Sequence, residues 1–229
     1  MTEPGKKRAY HSLQRQEQAQ VTRRKMLEAA RRLFATHGYV ATTLPAIARE
    51  AGVAAATVTA VFGTKLALLN ALITWAVRGD EEPAPLAMRE WWQEMLSERE
   101  PIRQLTLYAA IARRIHERTT DLFEIVRGAA TAEPEIAVLW RDLKESHLQD
   151  DRWVAESLAQ KEALGRGVTV EHATDLLWAL GSADLYRLLV VERGWPPEEY
   201  EQWLAATWIH ALLGPRGTQR SANYENAGR

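Results

Sequence analysis

TRRKMLEAARRLFATHGYVATTLPAIAREAGVAAATVTAVFGTKLALLNAL, residues 22–72, carries four helical signatures in close succession. The first places Met26, Leu27, Ala30, Leu33 and Phe34 on one face and leaves Arg23, Arg24, Arg31 and Arg32 mostly on the others. Gly38 suits the left-handed residue that ends such a helix. Thr43 can cap a second helix whose first turn takes Pro45, which turns Ile47 and Ala48 inward and which stops at Gly52. A third helix is expected over about 55–61. Two short helices joined by a tight turn containing glycine read as a helix-turn-helix. Thr64 then caps a fourth helix opened by Lys65, with Leu66, Leu68, Leu69, Leu72 and Ile73 as its apolar side.

The order LFATHGY (33–39), TTLPAIAREAGV (42–53), a short helix and VFGTKLALL (61–69) resembles the DNA-binding domain of the TetR family of transcriptional regulators. The resemblance implies an all-α fold: an N-terminal three-helix helix-turn-helix domain, then a C-terminal helical domain for ligand binding and dimerisation. It implies phosphate contacts at Thr43 and Lys65 and a third helix lying in the major groove. The matching groove residues are Ala54, Ala55, Ala56, Thr57, Thr59 and Ala60. The chain departs from the family where a small polar residue is usual (here Ala54), where Tyr is usual (Thr59), and where His or Tyr is frequent (Val61). The groove set offers methyl groups to thymine and two hydroxyls, but no Arg, Asn or Gln fork, so direct base readout from it is modest. The arm or DNA shape can supply the rest. The alanines have a packing reading as well, and for Ala60 packing is the expectation.

Charge agrees with a polyanion partner at the N-terminal end. Residues 1–78 hold 12 Lys or Arg against 4 Asp or Glu, a balance of +8, whereas residues 79–229 balance at −9. Solvated helix faces alone can also produce such a split. Residues 1–16 have no apolar period and read as a flexible basic arm, in which Lys6, Lys7 and Arg8 either reach phosphate or a minor groove or do nothing. The expected boundaries are 17–64 for the helix-turn-helix, 65–79 for a connecting helix, 80–214 for the effector-binding and dimerisation domain, and 215–229 for a disordered tail. Gly79 to Pro85 (GDEEPAP) marks the junction.

Beyond that junction the pattern is helical throughout. Helices are expected over about 86–97, from Pro101 through Ile115, within 118–133, from Pro134 to the glycines at 165 and 167, over 170–193, and from Pro197 to Gly214. The last two are the most apolar and suit an antiparallel hairpin. In the family that the chain resembles, two such hairpins build the homodimer. Leu185, Leu189, Trp203 and Trp208 are the interface candidates, the alternative being that this pair only completes the core of one chain. LLWALGSADLYRLLVVERGWPPEEYEQWLAATWIHALLG (176–214) also resembles the C-terminal part of one subset of the family. The family holds a small-molecule effector among the helices of the second domain. Trp91, Trp92, Tyr108, Phe123, Trp140 and Trp178 are the candidates to line that site, each also readable as ordinary core.

No catalytic arrangement is present. The chain has no cysteine, which removes thiolate zinc sites, disulfides and cysteine nucleophiles. No HExxH, GxSxG or glycine-rich phosphate loop occurs, and no cofactor is implied. His147, Asp150 and Asp151 fall at i, i+3 and i+4 and share a helix face; a solvated polar face is the expectation there, and a metal trio the alternative. There is no apolar leader, and no run approaches the ~20 residues of a membrane span, so a cytoplasmic protein without a membrane partner is expected. The reading is a sequence-specific regulator that binds double-stranded DNA as a homodimeric repressor released by a small molecule. The alternative is a helical ligand-binding or interaction module that keeps the helix-turn-helix fold and has lost specific DNA binding. Trp75, near the end of the connecting helix, is the expected relay between the two parts.

Overall fold

The computed structural model describes residues 4–80 and 86–214, with the side chains of residues 4–14 and 16 outside the description. Every element among the described residues is helical: α1 (Pro4–Ala41), α2 (Leu44–Ala51), α3 (Ala55–Phe62), α4 (Lys65–Arg78), α5 (Glu90–Ser97), α6 (Pro101–Ala130), α7 (Pro134–Gln160), α8 (Val170–Leu180), α9 (Ala183–Tyr186) and α10 (Pro197–Leu213). A 3₁₀ turn, Leu86–Met88, precedes α5, and a π-helical segment, Arg187–Glu192, continues α9. No single described helix is long and apolar enough to cross a membrane.

Contacts divide the chain into two units. The first is Met1–Trp75 together with Glu124–Val138, and the second is Ala76–Phe123 with Leu139–Arg229. In the first, the stripes read from sequence meet: Met26, Leu27, Phe34, Ile47, Val58, Leu68, Leu69, Leu72 and Ile73 are all buried. The expected stop at Gly38 is a kink, with φ 76° and ψ 168°, inside the helical run that ends at Ala41. At the other end α1 begins at Pro4, within the stretch expected to be an arm. Pro4 suits a first helical turn, and Lys, Arg, Ala, Leu and Gln after it are good helix formers. The side chains of Lys6, Lys7 and Arg8, residues 81–85 of the junction and the tail 215–229 lie outside the described residues.

The second unit is built around Trp92, Met95, Leu105, Tyr108, Val154, Leu158, Leu177, Tyr186, Tyr200, Leu204, Trp208 and Leu212. Three elements differ from expectation. Residues 101–130 form one helix of 30 residues rather than two. The TT pair that suggested a break is absorbed, because the Thr119 and Thr120 hydroxyls donate to the carbonyls of Ile115 and His116 one turn back. α7 ends at Gln160, before the glycines, and Glu162 turns the chain with φ 54°. The segment 170–193 is broken at Gly181, after which Ser182 caps α9 by accepting from the Leu185 N–H. A Cβ on Gly181 would stand 2.8 Å from both the Leu177 carbonyl oxygen and the Trp208 ring, so only glycine lets the chain turn against α10 here.

Candidate DNA-binding and effector sites

The helix-turn-helix forms as its caps demand. The Thr43 hydroxyl accepts from the Ala46 N–H at 3.3 Å, Pro45 sits in the first turn of α2, and Gly52 closes that helix in the left-handed region at φ 69°. Val58 and Phe62 anchor α3 inward. Its other side is open: Ala54, Ala55, Ala56, Thr59 and Ala60 are exposed, and Thr57 is half-buried. Ala60, expected to pack, is therefore a surface residue. It lies two positions from each of the inward-facing Val58 and Phe62, on the opposite side of a short helix. The Thr59 hydroxyl donates to the Ala55 carbonyl and keeps its lone pairs outward. The exposed face is a run of methyl groups with one hydroxyl.

Lys65 departs most from expectation. Its ammonium donates to the carbonyl oxygens of Tyr39, Val40 and Thr42, at 2.8, 3.3 and 2.9 Å, and lies 4.2 Å from the centre of the Tyr39 ring. These carbonyls end α1, where unsatisfied acceptors and the negative end of the helix dipole collect. Lys65 thus staples the end of α1 to the start of α4. The phosphate role that the resemblance implied gives way to an internal one. Thr64 caps α4 as expected, accepting from the Ala67 N–H at 3.0 Å. Tyr39 also donates through its hydroxyl to Glu135 at the start of α7; burial first, and the Glu135 carboxylate second, push that phenol up to about 12.

In the second unit the candidate aromatic residues separate into groups. Trp92 and Tyr108 come together at 5.9 Å, edge to face, and Tyr108 stacks on Trp208 at 5.1 Å with 15° between the planes. Trp91 borders this cluster, 6.1 Å from Trp92. Phe123 and Trp140 pair with each other at 5.9 Å, with Lys144 over the Trp140 ring. Trp178 is 37 % exposed. Of the interface candidates, Leu185, Leu189 and Trp203 are half-buried, whereas Trp208 is fully buried within its own chain. An α10 residue stacked on Tyr108 of α6 belongs to the core and is not available to a second copy.

The sequence reading missed Asp151. Expected on a solvated face, it is completely buried. The signal was present: Asp151, Val154, Ala155 and Leu158 fall at i, i+3, i+4 and i+7, which is the core stripe of α7. Its Oδ1 accepts from the Tyr108 hydroxyl at 2.6 Å. Its Oδ2 is 3.3 Å from His147 Nε2 without the alignment of a hydrogen bond, and has no hydrogen-bond partner. Burial pushes the Asp151 carboxyl well above the usual carboxylate range, and Asp150 adds to the rise; burial alone raises Asp150 to about 7. His116 was also missed. Buried on α6, it donates from Nε2 to the Gly181 carbonyl at 2.8 Å, and burial holds it down at about 4. Among the described residues no group of three or more His, Asp or Glu is arranged to hold a metal.

Residues 26–72 match the sequence profile described as "Bacterial regulatory proteins, tetR family". The N-terminal domain belongs to the TetR family. It is the domain of a DNA-binding transcriptional regulator, carried here on a chain whose second part is likewise all-helical. Solved TetR-like structures share the fold over most of their length. One is NalD of Pseudomonas aeruginosa, the secondary repressor of the MexAB-OprM multidrug efflux pump, with 22 % identity, TM-score 0.64, and coverage of 86 % of this chain and 99 % of that one. A SmeT–triclosan complex gives 18 %, 0.67, 86 % and 94 %. A putative transcriptional regulator from Saccharomonospora viridis in complex with choline gives 22 %, 0.61, 83 % and 97 %. At these identities the likeness concerns the fold. A search of curated proteins finds no match to the chain.

Proposed function

We propose that the protein is a homodimeric repressor whose hold on double-stranded DNA is released by a small molecule bound in its second unit. The observation that carries the DNA half is the exposed face of α3, presented by a capped helix-turn-helix in a TetR-family domain. Ala54, Ala55, Ala56, Thr57 and Thr59 face the major groove. The α2 N-terminus at Thr43 meets a phosphate, since a helix start offers free N–H groups and a positive dipole end. Lys65 serves DNA indirectly, by holding α1 and α4 in register.

The effector half draws on the Trp92–Tyr108–Trp208 cluster and on the neighbours, two of which were solved with a small molecule. Release from DNA follows if the effector binds the two arrangements of the dimer unequally. The links are the helices that run on from one contact unit into the other: α4, whose last carbonyls accept from Arg118 of α6, and the corner between α6 and α7 that Tyr39 reaches through Glu135. The dimer uses the outward apolar side of residues 178–203. Trp178, Leu188 and Val191 are exposed there, and Leu185, Leu189 and Trp203 are half-buried.

The test is selection of bound fragments from random duplex DNA by the purified protein. Enrichment of a roughly palindromic site, with half-sites about one helical turn or a multiple apart, is the expected result. No enrichment from a folded protein refutes specific binding. It would leave a ligand-binding module that retains only the fold, a reading that the internal use of Lys65 and the fork-free α3 favour.

A further inference from the structure

Asp151 is a carboxyl on the core stripe of a helix, yet no lysine or arginine among the described residues lies within ion-pair distance of it. Only its Oδ1 is satisfied, by Tyr108. Oδ2 is buried without a hydrogen bond, and the indole nitrogens of Trp92 and Trp208, whose rings pack on either side of Tyr108, are buried without one as well. A leucine or an asparagine at 151 would remove the penalty of a desolvated, half-satisfied carboxyl. An arrangement that costs stability and is useful only to a cation is the mark of a binding site. The surrounding aromatic faces carry negative quadrupoles, which attract a positive charge and shield it from water.

We propose that Asp151 receives the protonated nitrogen of an organic amine, with the hydrocarbon part of that amine held by Trp92, Tyr108 and Trp208. An ammonium N–H donates to Oδ2, and Oδ1 keeps the Tyr108 bond that fixes the carboxylate's orientation. The chemical class follows from the donor set: one anionic acceptor in an aromatic enclosure selects a cation with an apolar body over a neutral or anionic molecule of equal size. This names the effector of the site proposed above and rests on the reading that the second unit holds one.

The experiment is calorimetric titration of the full-length protein, without DNA, by three soluble ligands of matched size: 2-phenylethylamine, 2-phenylethanol and 3-phenylpropanoate. The amine is expected to bind at least tenfold more tightly than the alcohol, and the acid most weakly. Asp151→Asn should weaken the amine tenfold or more while leaving the alcohol within twofold. Tyr108→Phe, which keeps the carboxylate, should preserve the preference for the amine, and does so independently of whether Asp151→Asn folds. Equal affinity for amine and alcohol, absence of amine binding at millimolar concentration, or an amine affinity untouched by Asp151→Asn overturns the assignment. A gel shift with the amine present separates the two readings. Amine binding without loss of DNA refutes the regulatory role and spares the site. Release of DNA by some other ligand, with no amine binding, does the reverse.

Discussion

Replacing Lys65 by alanine tests whether its ammonium is a phosphate contact or a structural staple. Three carbonyl oxygens lose a charged donor, and the Tyr39 ring loses the cation above it. A hydrogen bond to a charged group contributes about 1.5–3 kcal/mol net, and less where water replaces the donor. Lys65 is half-buried, so about 1 kcal/mol for each bond is a fair average, with about 0.5 kcal/mol more for the ring. The total is near 3 kcal/mol. For a unit of this size that lowers the melting temperature by on the order of 10 °C or more. The assay is thermal unfolding followed by circular dichroism, paired with duplex binding over a salt series at a temperature where both proteins are folded. The slope of log affinity against log salt should match the unsubstituted protein, because no phosphate contact has been removed. A lost contact flattens it by about 0.9. Unchanged stability with a slope flattened by that amount would refute the staple.

Leu188→Glu or Val191→Glu should convert a dimer to a folded monomer in equilibrium sedimentation, whereas Trp208→Ala should cost about 3–5 kcal/mol of stability through loss of core packing. A Val191→Glu protein that stays dimeric places the interface elsewhere. His116→Gln should flatten the acid loss of stability. Burial lowers the folded-state value from 6.5 to about 4, so neutral His116 contributes fully above pH 6.5 and its contribution is lost as pH falls through 4, a difference on the order of 3 kcal/mol. Asp150, raised to about 7, acts in the opposite sense between its ordinary value and pH 7, so the comparison to make is denaturant unfolding of variant against parent at each pH. His147 is also held down at about 4 but keeps a third of its exposure, which makes His116 the sharper probe. Trp75→Ala, which removes the ring under Arg24, should reduce the effect of effector on DNA affinity more than it reduces either affinity alone; equal reductions would make Trp75 plain packing.

The helix-turn-helix was legible because each boundary there is a local event. Thr43, Pro45, Gly52 and Thr64 act on neighbours a few residues away, and the structure uses Thr43, Gly52 and Thr64 as read. Lys65 was misread because its partners lie 23 to 26 residues earlier, at the end of another helix, and a pattern of helix starts cannot show that its ammonium is already engaged. Asp151 was misread for a related reason. Grouping it with His147 and Asp150 by helical spacing hid the second grouping, with Val154 and Leu158, that determines burial. Tyr108, 43 positions away, makes that burial tolerable by supplying a donor. The break at Gly181 was hidden because glycine inside an apolar run is ambiguous until the ring of Trp208 is seen against it.

The π-helical segment Arg187–Glu192, closed by an i to i+5 hydrogen bond from the Arg193 N–H to the Leu188 carbonyl, is a helical turn that holds one residue too many. That surplus residue sets a phase. Deleting one position between 187 and 192 would let the turn relax to the ordinary repeat and swing everything after it by about 100° around the axis. Leu188 and Val191 would then no longer share one direction relative to α8. Length, as much as side-chain identity, therefore decides which way this surface points, and a relative one residue shorter here would present a different face to its partner even with every remaining side chain the same.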